Sequence, residues 1–292
     1  MPTVCIVWLP LFCLLMSQIS QHEEGVDRLQ PHTSEILHHH HGGSVIHRHH
    51  HEYHQLIYVS TGVLAIHTEQ GAWVASRDRA AWVPAGTWHE HRAYGMTSVH
   101  TVGFDAEAAP LPDASPTIIS VDRLLGELLV ACTEPGLPAA EAGRIRSVLA
   151  DRLRRAHVQP LTLPAARDPR LAHACELVEG DLRQPRPMAW LARAASASER
   201  TLTRLFRTEF GMTYPQWRTN VRVFHAMIQL AEGATVTETA HACGWATASA
   251  FVDTFTRTMG QTPGAYRSGS AGSSASAGSS ASGGRVPAEG GA

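Results

Sequence analysis

The stretches Leu191–Phe206 (LARAASASERTLTRLF) and Thr239–Phe255 (TAHACGWATASAFVDTF) decide the fold of the C-terminal part of the chain. Each begins with a short apolar segment, passes through a turn of small residues, and continues into a segment with apolar residues at helical spacing. Ser198 and Thr247 precede these later segments, where a hydroxyl can accept a hydrogen bond from an otherwise unpaired backbone N–H. The sequence therefore predicts an all-α domain with two helix-turn-helix units.

The run Gly260–Arg267 (GQTPGAYR) closes this pattern after the second unit. Together with the two units, it resembles the DNA-binding domain of the AraC/XylS family of bacterial transcription regulators. The resemblance implies that residues 168–267 bind double-stranded DNA at a promoter or operator. It also implies RNA polymerase as a partner, and a chain that regulates transcription and is not an enzyme.

The outer face of the later helix in each unit carries the candidate DNA contacts. In the first unit, Leu202, Leu205 and Phe206 fall on the inner face at helical spacing. A recognition helix places its N-terminal part in the major groove, so the polar residues left outside are candidates for DNA contact. We expect contacts from Ser198, Arg200, Thr203, Arg204 and Arg207 in the first unit, and from Thr247, Ser249, Arg257 and Arg267 in and after the second. Arg200, Thr203 and Arg204 are expected to reach bases, the alternative being that they are ordinary solvated surface residues.

The second unit departs from the family's habit of polar or Arg residues on this face. It presents Ala248, Ser249 and the acidic Asp253. A carboxylate is repelled by DNA phosphates, although it can accept a hydrogen bond from a cytosine amino group. We therefore expect the second unit to contribute backbone and shape contacts, with Arg257 and Arg267 on phosphates, while the first unit reads bases.

The small charge asymmetry and the scattered cysteines are consistent with an intracellular DNA-binding protein. Residues 168–267 carry 11 Arg and 9 acidic residues, a balance of +2, whereas residues 1–167 carry 12 Arg and 16 acidic residues, a balance of −4. All 24 basic side chains are Arg, the residue suited to bidentate contacts with guanine and phosphate. The five cysteines are scattered and form no CxxC pair, which disfavours a disulfide framework or a zinc knuckle. A cytoplasmic location is expected.

The N-terminal part is rich in histidine, with fifteen of the 19 histidines in the first hundred residues. One subset has a regular spacing of glycine, two histidines, glutamine and glycine: Gly43, His49, His51, Gln55 and Gly62. A later run, Pro84–His89, reads PAGTWH. These runs resemble the two cupin motifs, with Gln55 in place of the usual glutamate and Ala93 at the later asparagine position. Short strand-like runs separated by glycine-containing turns favour a small β-barrel or sandwich, and the resemblance implies a cupin-like barrel.

The spacing of these histidines has a chemical meaning. Because residues i and i+2 of a strand point to one face, His49 and His51 can both face a barrel interior, with His89 approaching from a neighbouring strand. Three imidazoles and the Gln55 oxygen suit a divalent ion such as Zn, Ni, Cu, Fe or Mn. Three interpretations stay open: a bound metal, an organic effector held by the same polar groups, or a structural role. No cofactor is required, and the His38–His41 tract adds imidazoles on a segment expected to be flexible.

Composition divides the chain into five segments. They are a leader over residues 1–30; a cupin-like effector-binding barrel over 31–110; a helical region and linker over 117–167; the DNA-binding domain over 168–267; and a disordered Gly/Ser/Ala tail over 268–292. The leader is interpreted as a mis-set start or a disordered extension, with a core or anchoring helix and a signal segment as alternatives. Amphipathic helices are predicted over Val121–Cys132 and Ala139–His157. Packing on the barrel and dimerisation would use the same apolar stripe, so both interpretations stay open, and a homodimer is expected.

These observations predict an α+β chain that acts as a one-component transcription regulator. A small molecule or divalent metal bound in the barrel would change how the DNA-binding domain is presented. The alternative is a cupin-type metalloenzyme with a vestigial DNA-binding domain, supported only by Asp253 and the mild charge. A weakly specific DNA binder without an effector is a third hypothesis.

Overall fold

The computed structural model describes residues 35–107, 109–111, 115–159 and 163–270, with a sheet-rich part followed by a helical part. The strands of the described residues are β1 (Glu35–His40), β2 (Val45–His49), β3 (His54–Thr68), β4 (Gly71–Ala75), β5 (Arg79–Val83), β6 (His89–Phe104), β7 (Thr117–Ser120), β8 (Val158–Gln159) and β9 (Leu163–Pro164). The helices are α1 (Arg123–Cys132), α2 (Ala139–Leu153), α3 (Pro169–Glu179), α4 (Met188–Ala194), α5 (Glu199–Phe210), α6 (Tyr214–Ala231), α7 (Val236–Ala242), α8 (Ala248–Met259) and α9 (Pro263–Ser270).

Two long antiparallel strands, β3 and β6, form the spine of the sheet. β3 pairs with β5 along its first half and with β4 along its second half, while β6 pairs with β2 and then with β1. Irregular pairing between Val59 and Val63 changes which residues face inward, so Ile57 before it and Leu64 after it join one cluster. Gly62 lies in this irregular segment with φ of 76°, and a Cβ there would lie 2.5 Å from the Met96 carbonyl oxygen. Only glycine fits such a bend.

The hydrogen-bonded sheet is open, which differs from the predicted barrel. The strand order runs β1-β6-β3-β5-β7-β8, and within the described residues no pairing joins β1 to β8. The bends in β3 and β6 fold the sheet over an apolar interior that includes Trp73, Val83 and Val99. Side-chain packing fills this interior, so the fold does not depend on closure by backbone hydrogen bonds. The closed barrel is therefore not confirmed.

Helices cover both outer faces of the sheet. α1 and α2, close to the predicted helical segments, pack Leu129 and Leu149 against Leu56 and Trp82 on one face. The other face contributes Val63, Ala65 and Val74 to the core of the helical part. α1 and α2 are thus packing elements, although Leu124 and Val148 remain 51% and 45% exposed.

The helical part contains two pairs in which a short helix, a tight turn and a longer helix follow one another: α4 with α5, and α7 with α8. The turns use backbone with positive φ, at Ser196 (52°) and Gly244 (81°). A Cβ on Gly244 would lie 2.2 Å from the Leu182 carbonyl oxygen, so this turn needs glycine for close packing as well as for φ. α6 runs between the pairs and buries Trp217.

The junctions between segments differ from the sequence prediction at two places. The proposed linker contributes Leu163–Pro164 as β9, which pairs with β4 at the sheet edge. At the other end, α9 continues to Ser270, so residues 268–270 of the predicted tail are helical. Tyr266 is buried in the core and anchors that helix, which a composition-based boundary does not detect. The predicted leader and residues 271–292 lie outside the described residues. None of the described helices has the length and apolar composition of a membrane span.

Candidate DNA-binding surface and histidine cluster

α5 presents a row of cations to solvent. Ser198 caps the helix by accepting from the Thr201 backbone N–H at 3.1 Å, and Leu202, Leu205 and Phe206 bury the opposite face as predicted. The predicted contacts on the outer face are all exposed: Arg200, Thr203, Arg204 and Arg207. Within the described residues, none of these three Arg side chains forms an ion pair, so their charge is available to an anionic partner.

α8 presents a different surface. Thr247 caps it by accepting from the Ala250 N–H at 3.1 Å. Ser249, Asp253 and Arg257 are exposed. The predicted phosphate ligand Arg267 lies on α9 and is half-buried. Asp253, the acidic residue that the sequence singled out, is therefore at the surface, four residues before the exposed Arg257 on the same helix.

Polar contacts from α6 reach the loop between α3 and α4 and the second helix pair. The guanidinium groups of Arg218 and Arg222 both donate to the Leu182 carbonyl oxygen at 3.3 Å. The Arg222 guanidinium carbon also lies over the Trp245 ring, 5.5 Å from the ring centroid. Trp245 in turn packs on Phe251 of α8. The position of α8 is therefore tied to α6 through a chain of buried contacts.

The second candidate site lies inside the sheet, where β2 meets the start of β6. His49 and His89 are paired residues of these strands, and their ring centroids are 4.3 Å apart. His91, two residues further along β6, stacks on His89 at 5.0 Å. One ring nitrogen from each of His49, His89 and His91 lies within 4.8 Å of the others. We call these three residues the histidine cluster.

Of the other two predicted ligands, His51 lies beside the cluster. The His51 ring is 4.9 Å from that of His49 and 5.4 Å from that of His89. Gln55 is buried on β3, and its Oε1 has no hydrogen-bond partner in the described structure. The structure thus brings three of the four predicted residues into ring contact and places the fourth on an adjoining strand.

Local hydrogen bonds orient two of the rings. The Nδ1 atoms of His49 and His89 lie 2.7 Å from the carbonyl oxygens of His47 and Thr87. Because a carbonyl only accepts, each Nδ1 carries the proton and leaves Nε2 with a free lone pair. The Nε2 atoms of His89, His91 and His51 are buried and have no partner in the described part of the chain.

Burial keeps these imidazoles neutral. Burial, with a smaller effect of neighbouring histidines, lowers the pKa of His89 to about 3 and that of His51 to about 4. The pKa of the fully buried His91 falls well below its ordinary value for the same reasons, and that of His49 is also lowered. Neutral imidazole is the form that binds metal ions.

Sequence reasoning missed His91. The i and i+2 argument used for His49 and His51 applies equally to His89 and His91, which occupy one face of β6 together with Ala93. The i and i+2 spacing that indicates His91 is present in the sequence, but the second cupin motif ends at His89 and does not include His91. Strand geometry therefore predicts His91 as a member of this set, whereas the cupin motif does not.

The remaining histidines of this region do not join the cluster. The sequence predicted a flexible segment for the His38–His41 tract. Residues 38–40 instead belong to β1, which pairs with β6 over its full length. His54 stacks on Trp82 and accepts from the Ala85 N–H. His50 packs on Trp88. Among the histidines of this region, the ring nitrogens of His49, His89 and His91 therefore form the close group.

Comparisons with known proteins find relatives for the helical part of the chain. Residues 191–269 match a family described as a helix-turn-helix domain. The HTH-type transcriptional regulator NimR of Escherichia coli K12 is 28% identical over 222 residues, which cover 73% of this chain and 78% of that protein. The HTH-type transcriptional activator RhaR of the same strain is 34% identical over 87 residues, covering 30% of this chain and 31% of that protein.

The similar solved structures are distant. ToxT from Vibrio cholerae O395 is 10% identical, with a TM-score of 0.37, over 82% of this chain and 98% of that one. A regulator with an AraC-type DNA-binding domain from Chromobacterium violaceum is 24% identical, with a TM-score of 0.34, over 36% of this chain and 95% of that one.

Proposed function

We propose that this chain, an AraC-type DNA-binding transcription regulator by its helix-turn-helix domain and its relatives, couples sequence-specific DNA binding to a ligand held inside its N-terminal sheet. The DNA-binding part of this proposal rests on one observation. Three arginines on α5 are exposed and form no ion pair among the described residues: Arg200, Arg204 and Arg207. The ligand is a small molecule or a divalent metal at the histidine cluster.

In this proposal α5 reads bases. Arg200 and Arg204 are four residues apart and share one face of the helix, beginning in its first turn. A guanidinium in the major groove can donate two hydrogen bonds to the O6 and N7 atoms of guanine. Thr203 and Ser198 lie beside them and suit base or phosphate contacts.

α8 serves chiefly to anchor the domain. Its first turn offers Ala248 and Ser249 and no cation, and Asp253 repels phosphates. Backbone N–H groups at the helix start and the guanidinium groups of Arg257 and Arg267 are suited to bind phosphates. Such contacts fix orientation and carry little sequence information.

The route from ligand to DNA runs through α6. This helix packs on β3, β4, β6 and β9, and the same helix holds the two helix pairs together. Gly95 of β6 lies close enough to the Ala231 carbonyl that a Cβ would be 2.8 Å from its oxygen. On the other side of the junction, the Gln261 side chain donates to Asp78 at 3.1 Å. A ligand that moves β6 would therefore shift α6, provided that it binds two arrangements of the protein with different affinity.

A second copy of the chain is the proposed dimer partner. Leu124 of α1 and Val148 of α2 are apolar and exposed on the face of the molecule away from the sheet. Pairing through these helices would present two DNA-binding domains to a promoter, and RNA polymerase is the further partner expected of such a regulator. The mass of the protein in solution tests the dimer directly.

Footprinting on the DNA upstream of the chain's own gene tests the proposal. We expect a discrete protected site whose occupancy changes when a ligand is added. Protection that is uniform along the DNA would contradict sequence-specific binding. A discrete site that no ligand affects would leave the DNA-binding role standing and remove the sensing role.

A further inference from the structure

We propose that His49, His89 and His91 bind one divalent transition-metal ion, of the zinc, cobalt, nickel or copper type, with His51 completing the site as it closes. The inference rests on the proposed function in one respect, since metal occupancy would be the signal that the sheet transmits. The site differs from the one expected from sequence, because His91 takes a place that no motif assigned.

The donor geometry fits such an ion. Tetrahedral coordination with bonds of 2.0–2.1 Å puts ligand nitrogens about 3.4 Å apart. In the histidine cluster the three ligand atoms lie within 4.8 Å of one another without an ion. Small side-chain rotations on binding would bring them to coordination distance. The Nδ1–H···O bonds of His49 and His89 already fix those rings with Nε2 free.

A purely structural role does not explain the cluster. The Nε2 atoms of His89 and His91 are buried, and neither has a hydrogen-bond partner in the described structure. A buried polar atom without a partner costs about 1–3 kcal/mol relative to a satisfied one. Both residues belong to the group of three whose ligand atoms lie within 4.8 Å of one another, so one bound cation would satisfy both nitrogens at once.

The chemistry of the donors selects the class of ion. The cluster contains three imidazoles and no carboxylate. Mg²⁺ and Ca²⁺ require oxygen ligands, whereas neutral imidazole suits borderline divalent ions. Gln55, the fourth ligand expected from the sequence, would offer an amide oxygen in place of a carboxylate and so adds no negative charge that would favour a hard cation.

The fourth position distinguishes His51 from the other three. Its ring is 4.9 Å from that of His49 and 5.4 Å from that of His89, and its Nε2 has no partner among the described residues. His51 is nevertheless not one of the three residues whose ligand atoms lie within 4.8 Å of one another. We therefore assign His51 to closing the site after the ion is held by the cluster. Replacement of His51 should weaken binding less than replacement of a cluster histidine.

Titration of the purified full-length chain with CoCl₂ and ZnCl₂ tests the site, because cobalt bound by imidazoles in a tetrahedral site absorbs visible light. We expect one ion per chain. His91→Ala should weaken binding by more than about 100-fold, since loss even of a partner that only orients a ligand costs 10–100-fold. The matched control is a chain with His39→Ala and His41→Ala, two exposed tract histidines outside the cluster, and it should bind as the unsubstituted chain does.

Equal binding by the His91→Ala chain, or loss of binding in the tract control, would overturn the inference. X-ray absorption of the zinc-loaded unsubstituted chain gives an answer that does not depend on any variant folding: at least three imidazoles are expected, and fewer than three would overturn the site. A small molecule that binds stoichiometrically while zinc and cobalt do not would assign the pocket to an organic effector instead.

The result can be separated from the proposed function. A chain that protects a discrete operator but binds no stoichiometric metal would refute the metal site and leave the regulator intact. A chain that binds one ion at the cluster but shows no specific DNA binding would do the reverse.

Discussion

His49 and His89 stand opposite each other on β2 and β6, and each ring donates from Nδ1 to the carbonyl oxygen of the residue two positions earlier. The same hydrogen bond from Nδ1 to a carbonyl oxygen thus occurs in each of the two paired strands. Because the hydrogen bonds hold both rings, their free Nε2 atoms are directed by the backbone and not by neighbouring side chains. His91 then joins the pair simply by following His89 on the same face of the strand.

The first prediction compares two ligand sets. We expect His49→Ala to weaken zinc binding by more than about 100-fold, and His51→Ala to weaken it by about 10-fold or less. The reason is that His49 belongs to the cluster and His51 only closes it. Calorimetric titration with ZnCl₂ measures both. If His51→Ala abolishes binding and His91→Ala does not, the set inferred from the sequence motif is correct.

Arginine substitutions on α5 should affect DNA binding in a sequence-dependent way. Arg200→Ala or Arg204→Ala is expected to cost about 1–3 kcal/mol of binding free energy and to relax preference at one base position. Electrophoretic mobility shift with a set of single-base operator variants measures this. Arg154→Ala on α2, an exposed Arg paired with Asp151, is the control. A loss that is equal on every DNA sequence would show that the Arg binds phosphate.

Asp253 on α8 should oppose DNA binding. In the proposed function, Asp253→Asn removes one negative charge from a surface that faces phosphates, and affinity should rise on all sequences, most clearly at low salt. Binding isotherms at several salt concentrations check this. A fall in affinity confined to operators with a cytosine at one position would instead mean that the carboxylate accepts from that base.

The close approach of β6 to α6 should make Gly95 intolerant of a side chain. Gly95 and Gly43 both have positive φ, of 70° and 89°, so alanine at either position carries about 1–2 kcal/mol of backbone strain. Only at Gly95 would the new Cβ meet the Ala231 carbonyl oxygen, whereas nothing lies within 4 Å at Gly43. Urea unfolding should show the larger loss of unfolding free energy for Gly95→Ala. Equal losses would mean that α6 can move away without cost.

His100 should make the folded state sensitive to acid. Its ring is buried, bonded to Ser60 at 2.7 Å and Thr133 at 2.6 Å, and burial, with a smaller effect of His39, lowers its pKa to about 4. Since the unfolded side chain titrates near 6.5, the unfolded state binds the proton more readily between these values. The stabilising contribution is complete above pH 6.5 and is lost as pH falls towards 4, by at most about 3 kcal/mol.

Urea unfolding at pH 7 and pH 5, with chelator present, measures this dependence. His100→Gln should be less stable at pH 7 but should lose less stability between the two pH values. An exposed histidine, His241→Gln on α7, serves as the control. An unchanged slope in the His100→Gln chain would show that other groups carry the acid sensitivity.

The helical part was predictable because its signals are local. Ser198 and Thr247 act as helix caps as their positions suggested, and Leu202 and Phe251 are buried as their spacing suggested. Caps and apolar periodicity depend on residues within a few positions of one another. The sheet was predicted less well, because strand order, bends and the absence of closure depend on pairings between residues far apart in the chain.

The same division holds for the candidate sites. For α5, the sequence alone determined which side chains point outward, since a helix with one buried face leaves the other exposed, and Arg200 and Arg204 had to lie there. Whether His91, His51 or Gln55 belongs with His49 and His89 was decided only by the tertiary structure. Histidines distant in sequence meet through the pairing of β2 with β6, and that pairing depends on long-range packing, which is not encoded in the spacing of any one motif.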